Sequence, residues 1–182
     1  MSSERSIGAC TPADYAAVVD LVNAAYRGQG GQNGWTHEIG LVDGLRITPD
    51  RLRGTLTGEG EPVIYLLREG ADLRACVHLE NSRGRAGEPA CHISMLAVRP
   101  GLQDQGLGRL LLDYAEAQGR ARGAQLARMT VVSVRESLIA WYERRGYRRT
   151  GEAQPFPYDD PLFGTPQRAD LEFVVLEKKL QD

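Results

Sequence analysis

The chain has 182 residues, 42% apolar and 25% charged, with 22 Lys plus Arg against 24 Asp plus Glu for a formal charge of −2. Those figures describe a globular chain long enough to bury a core without metal or disulfide support, and they exclude intrinsic disorder and a global basic field for nucleic acid. No apolar run approaches the ~20 residues of a membrane span. The N-terminal stretch has no basic-then-apolar leader pattern, and Cys10, Cys76 and Cys91 are odd in number without C-x-x-C spacing, so the expected setting is the reducing cytosol.

Thr11-Pro12 followed by Asp14 is a helix start, with Pro in the first turn and an acid beside it. Tyr15, Val18, Val19, Val22 and Tyr26 then recur at helical spacing, which predicts a first helix ending near Tyr26. Residues 28–44, rich in Gly, Gln and Asn and containing Trp35, read as a loop of functional character. Thr48-Pro49 opens a short second helix that Gly58 and Gly60 end. Residues 63–68 and 73–80 are apolar runs joined across Glu69-Gly70-Ala71-Asp72, a predicted hairpin.

A polar loop with Gly84, Gly87 and Pro89 leads into a third strand over 90–98. Alternation along it puts His92, Ser94 and Leu96 on one face and Cys91, Ile93 and Met95 on the other. Leu107, Leu110, Leu111, Tyr114 and Ala115 form one stripe of a helix that ends across 119–123. Residues 126–134 read as a strand, and 136–145 as a helix closed by Gly146 in the left-handed cap position. Strands over 147–150 and 171–178 flank a Pro-rich loop, 155–166. The predicted order, ααβββαβαββ, is that of one α/β domain spanning 1–182.

The turn after the third strand carries Gln103-x-x-Gly106-x-Gly108. Glycines where a turn becomes a helix let several backbone N–H groups converge, and the helix N-terminus adds unpaired donors and partial positive charge. The arrangement suits a phosphate or pyrophosphate. A dinucleotide fingerprint needs a third glycine where Leu111 stands, and a P-loop needs Gly-Lys-Ser/Thr where Gly106 is followed by Leu107-Gly108. Both are excluded.

What remains is a Leu96-Ala97-Val98 strand, a Gln-x-x-Gly-x-Gly turn and a Leu-rich helix, which resembles the GCN5-related N-acetyltransferase (GNAT) superfamily. Downstream, Ala140-Trp141-Tyr142-Glu143-Arg144-Arg145-Gly146-Tyr147 is similar to that family's Ala-x-Tyr-Glu-x-x-Gly-Phe helix end, in the right order and at the right distance.

The resemblance implies the GNAT, or acyl-CoA N-acyltransferase, fold: an α/β architecture with a mixed central sheet, splayed middle strands and helices on both faces. It implies an enzyme that moves an acetyl group from acetyl-CoA, its co-substrate, to a primary amine by direct attack in a ternary complex, without metal. It assigns Leu96, Ala97 and Val98 to the pantetheine arm through main-chain atoms. Gln103, Asp104, Gln105, Gly106, Leu107, Gly108 and Arg109 fall at the pyrophosphate, where Arg109 either adds charge or is a solvated helix-face arginine. Tyr142 stands where many members carry the general acid: a thiol of pKa ~8.5 leaves better beside a phenol of pKa ~10.

In several members a glutamate acts as base at the position of His92, and Glu38 and Glu80 are its rivals here. Many members have a cofactor-contacting asparagine seven residues before the tyrosine; here it is Arg135, expected to hold the cofactor differently, at the CoA phosphates or at an anionic acceptor group. The acceptor walls are expected to include Tyr26, Trp35, Glu38, Glu80, Phe156 and Tyr158, with Glu38 and Asp43 suited to a cationic amine. A small-molecule amine is the first expectation and a protein amine the second, with neither nucleic acid nor membrane as partner, for a monomer or homodimer. The competing function is a catalytically silent acyl-CoA-binding module.

Overall fold

The computed structural model describes residues 4–28 and 37–180. Chain order begins β1 (Arg5–Ala9), α1 (Tyr15–Arg27), β2 (Val42–Asp43), α2 (Pro49–Leu56), β3 (Val63–Glu69), β4 (Asp72–Arg83) and β5 (Pro89–Val98). It continues α3 (Leu107–Ala121), β6 (Leu126–Val132), α4 (Glu136–Glu143), β7 (Arg148–Pro155), β8 (Thr165–Pro166) and β9 (Glu172–Lys179). Among these residues, β2 and β8 pair with each other, and the other strands form a sheet in the order β1-β3-β4-β5-β6-β9-β7. Its pairings are antiparallel except that of β5 with β6.

Helices cover both faces. Leu107, Leu111, Leu112 and Ala115 of α3, with Leu138 and Ile139 of α4, pack on Leu79, Ile93 and Met129 from the sheet; Leu112 takes the inward place expected of Leu110, which is exposed. On the opposite face α1 (Val18, Leu21, Val22) and Leu52 of α2 cover Ile64, Leu66 and Cys76. Among the described residues no helix is long and apolar enough to cross a membrane.

Strand β1 is invisible to pattern reading because Ile7 is its one large apolar side chain. It lies at the sheet edge, mostly exposed, held by its ladder to β3 and by the Arg5–Glu69 ion pair at 2.9 Å. Strand β7 likewise outruns its pattern, because Ala153 to Pro155 continue pairing with β9 beyond a register shift.

The features that make a site converge on β5. Its ladder to β6 covers Ala90, Cys91 and His92, and from Ile93 onward the two strands part. On its other side the register with β4 shifts between Cys76 and His78, opposite Met95, whose φ is +47°. An extra residue in a strand reverses the facing of the side chains beyond it. The expected alternation therefore breaks at Met95. Cys91, Ile93 and Leu96 face α3, whereas Met95 and Ala97 pack beneath α1.

Candidate active site

Helix α3 starts from Gly106, at φ +74°, after Asp104 at φ +68°. No side chain caps this end, so the N–H groups of Leu107, Gly108 and Arg109 have no intrahelical or capping partner. Gln103 braces the turn itself: its side-chain oxygen accepts from Gly101 N–H at 2.9 Å and its amide donates to Arg99 O at 3.3 Å. A Cβ on Gly108 would touch Val98 at 3.5 Å and Trp141 at 3.9 Å, so a larger side chain there would project into the space between them.

That space is a cleft of about 450 Å³ bounded by Leu96 and Val98 of β5, the turn from Leu102 to Arg109, and Leu138, Trp141 and Tyr142 of α4. Arg109, Arg144 and Arg145 rim it. The Arg145 guanidinium stacks 3.5 Å from the Trp141 ring centre and donates to Trp141 O at 2.7 Å. Partial burial, and then repulsion by Arg109 and Arg144, pull its pKa below the usual value. Asp104, Gly106, Leu107 and Gly108 border this cleft, while Ala97 is buried on the α1 side, Gln105 is exposed on the turn, and Arg135 borders a different cavity.

The second cavity, about 310 Å³, lies across a wall that it shares with the first: Leu96, Leu138 and Tyr142 border both. Its other boundaries include Tyr26, Glu38, Arg46, His92, Ser94, Thr130, Arg135, Phe163 and Phe173. Tyr142 is buried with its ring edge-on to Trp141 (5.0 Å) and Tyr147 (5.7 Å). The end of α4 is closed by Gly146 at φ +91° and by Tyr147 N–H donating to Tyr142 O at 3.2 Å. Burial raises the Tyr142 phenol well above its ordinary range, with Tyr26 adding to the effect and Arg135 and Arg145 opposing it. The hydroxyl is a neutral donor at working pH and has no hydrogen-bond partner among the described residues.

Antiparallel pairing sets His78 opposite Ser94 and Glu80 opposite His92. Glu80 Oε1 lies 3.1 Å from His92 Nδ1, so the two residues taken as rival bases form one hydrogen-bonded pair. Glu80 Oε2 lies 3.9 Å from His78 Nε2, whose ring shares a 2.9 Å hydrogen bond with Ser94 Oγ. Glu80 is held below the usual carboxylate range, chiefly by the His92 hydrogen bond. Burial pushes His78 down to about 4, against the pull of Glu80. His92 borders the second cavity; Glu80 stands behind it, on two neighbouring hollows.

Glu38 is buried with its N–H bonded to Tyr26 O at 2.7 Å. Its carboxylate pairs with Arg27 through Oε2 and approaches Arg135 through Oε1 at 3.7 Å. Trp35 lies outside the described residues. Phe156 stacks on Phe173 (5.4 Å, 27°), and the Tyr158 hydroxyl accepts from Leu171 N–H at 2.6 Å; neither ring borders the second cavity. Among the described residues the aromatics that do are Tyr26, Phe163, Phe173 and Tyr142. Sequence reasoning also missed Arg46, Trp141, Arg144 and Arg145 as lining residues. The last three stand inside the Ala140–Tyr147 motif and could have been found there; Arg46 sits in a loop without any pattern. Among the described residues no cluster of three or more His, Cys, Asp or Glu could hold a metal ion.

Residues 35–147, more than half of the chain, match the acetyltransferase (GNAT) family, and the chain belongs to that family. That family is one of acetyltransferases. Among characterised proteins it is similar to the tRNA(Met) cytidine acetyltransferase TmcA of Aeropyrum pernix, 33% identical over 102 residues that span 51% of this chain but 14% of that protein. Among solved structures, an N-acetyltransferase of Staphylococcus aureus Mu50 matches with TM-score 0.71 at 15% identity, over 98% of this chain and 100% of that one. YncA of Salmonella typhimurium, solved with its cofactor acetyl-CoA, matches with TM-score 0.69 at 17% identity, over 98% and 95% of the two chains. The fold is the GNAT fold.

Proposed function

We propose that the protein acetylates the primary amine of a small molecule by direct attack on acetyl-CoA in a ternary complex. The shared wall carries this reading. A thioester threaded along the open edge of β5 and an amine entering from the opposite side meet at Leu96, Leu138 and Tyr142, without a covalent stop on the enzyme. The N–H groups of Leu107, Gly108 and Arg109 receive the pyrophosphate, the arginine rim adds charge, and the backbone of Leu96 and Val98 beyond the splay holds the pantetheine arm.

The acceptor arrives as an ammonium ion, since an amine of pKa ~10 is mostly protonated at neutral pH. With Nδ1–H donating to Glu80, His92 offers Nε2 to take that proton, directly or through one water. The neutral nitrogen attacks the carbonyl carbon, the C–S bond breaks, and the Tyr142 hydroxyl protonates the departing thiolate. The second proton, lost from the new amide nitrogen, restores Tyr142. Glu38, held between Arg27 and Arg135, positions Arg135 in this reading, leaving base work to the His92–Glu80 pair.

The tRNA acceptor named for the Aeropyrum relative is not carried over, because the aligned region is a small part of that protein and this chain has a net charge of −2. Initial velocities of CoA release across an amine panel test the proposal. Intersecting double-reciprocal lines support a ternary complex, and parallel lines overturn it. Tight acetyl-CoA binding without turnover by any amine returns the silent binding module.

A further inference from the structure

The second cavity is electrically lopsided. The Arg27 and Arg135 side chains are 10% and 9% exposed, and both converge on the single carboxylate of Glu38. Arg27 takes the close contact and also donates to Gly44 O at 2.8 Å, which leaves Arg135 facing the cavity at 3.7 Å from Glu38, without a hydrogen bond to its guanidinium among the described residues. Arg46 borders the same cavity, its guanidinium 5.3 Å from the Tyr26 ring centre and without a carboxylate partner among the described residues. Residues 29–36, Gln-Gly-Gly-Gln-Asn-Gly-Trp-Thr, bring no acid that could balance the charge. Among the described residues, Arg46 and Arg135 line the cavity against the one carboxylate of Glu38, which Arg27 already pairs from behind, and this leaves a surplus of positive charge around Tyr26. Burying a guanidinium without its own counter-ion is costly, so the arrangement awaits an anion. Glu80, paired with His92, supplies negative charge elsewhere along the same surface.

Building on the assignment of this cavity to the acceptor, we infer that the acceptor is an amino-acid-like zwitterion, its carboxylate held by Arg135 and Arg46 and its amino group turned toward His92 and the Tyr142 wall. Guanidinium forks match a carboxylate in geometry as well as charge, and a cavity of about 310 Å³ is of small-molecule size. Arg135, which replaces the asparagine common in this family, is then a specificity residue for the acceptor.

The test uses matched pairs: the twenty standard L-amino acids, each beside its own carboxamide, assayed for CoA release from acetyl-CoA by the full chain. The best amino acid is expected to exceed its carboxamide about 100-fold in kcat/KM, the order of two charge-assisted contacts. Arg46→Gln and Arg135→Lys are each expected to shrink that preference at least tenfold; Arg46 is half-buried, so its variant keeps the test open if Arg135→Lys fails to fold. Carboxamides turned over as well as their amino acids, or a preference that survives both substitutions, overturns the inference. If no amine of either kind releases CoA although acetyl-CoA binds, the catalytic reading fails separately, and calorimetry of the same pairs on the CoA-loaded protein decides this one. Amino acids binding at least tenfold tighter than carboxamides sustain it, and equal or no binding overturns it.

Discussion

Replacing Tyr142 by Phe removes one oxygen from the wall between the two cavities, the oxygen proposed to protonate the departing thiolate. The hydroxyl has no hydrogen-bond partner among the described residues, so its loss orphans no buried group. The ring keeps its edge-on contacts with Trp141 at 5.0 Å and Tyr147 at 5.7 Å. The stability cost is therefore below about 1 kcal/mol, or roughly 2–4 °C in melting temperature for a chain of this size. Chemistry pays no such small penalty. A positioned acid is worth about 10²–10⁴-fold, equivalent to roughly 3–5 kcal/mol in the barrier, because the thiolate must otherwise leave unprotonated. Turnover of Tyr142→Phe is expected to fall at least about 100-fold, with the KM for acetyl-CoA within about threefold of the parent. Thiol release read with a chromogenic disulfide, beside a thermal melt of each protein, measures both quantities. Turnover within threefold of the parent removes the acid role, and a melt lowered by about 10 °C assigns the hydroxyl to structure instead.

Glu80→Gln removes the charge that accepts His92 Nδ1–H and is expected to lower turnover about 10- to 100-fold, with His92→Gln lowering it at least as much. The double variant should be no worse than His92→Gln alone, and strictly multiplicative losses would show that the two act independently. Gly119 in α3 lies so close to β5 that a Cβ there would stand 2.5 Å from Cys91 Sγ; Gly119→Ala is expected to destabilise by about 1–3 kcal/mol in urea titration, and an unchanged midpoint would contradict that packing. His78 has a folded pKa of about 4 against an ordinary 6.5, so the unfolded chain takes up its proton first as the solution is acidified. Its stabilising contribution is present above about pH 6.5 and is lost as pH falls toward 4; His78→Gln should flatten the stability profile in that window, and an unaltered slope counts against the burial account.

Much of the site is local in sequence and could be read there. The glycine turn, the stripe of α3 and the Tyr142–Gly146 helix end each depend on neighbours a few residues apart, so periodicity and cap chemistry expose them. What escaped is what the tertiary fold decides. The left-handed residue at Met95 turns Leu96 toward α3, and nothing in its apolar neighbourhood marks a bulge. His92 and Glu80 looked like rivals because they are 12 residues apart, and only the β4–β5 register makes them a pair. Phe156 and Tyr158 carry the composition of a binding loop, yet they pack against Phe173 and Leu171, while Phe163 from the same loop borders the cavity. Arg46 gains its significance from Tyr26 and Arg135, whose positions come from α1 and the start of α4.

The central claim is that donor and acceptor meet at the wall formed by Leu96, Leu138 and Tyr142. A crystal structure of the protein with CoA addresses it without needing the acceptor. Pyrophosphate oxygens are expected within hydrogen-bond distance of the N–H groups of Leu107, Gly108 and Arg109, and the thiol sulfur beside the Tyr142 hydroxyl, at the opening into the cavity of Arg46 and Arg135. A thiol directed to another hollow, or a pyrophosphate seated away from the start of α3, would contradict it.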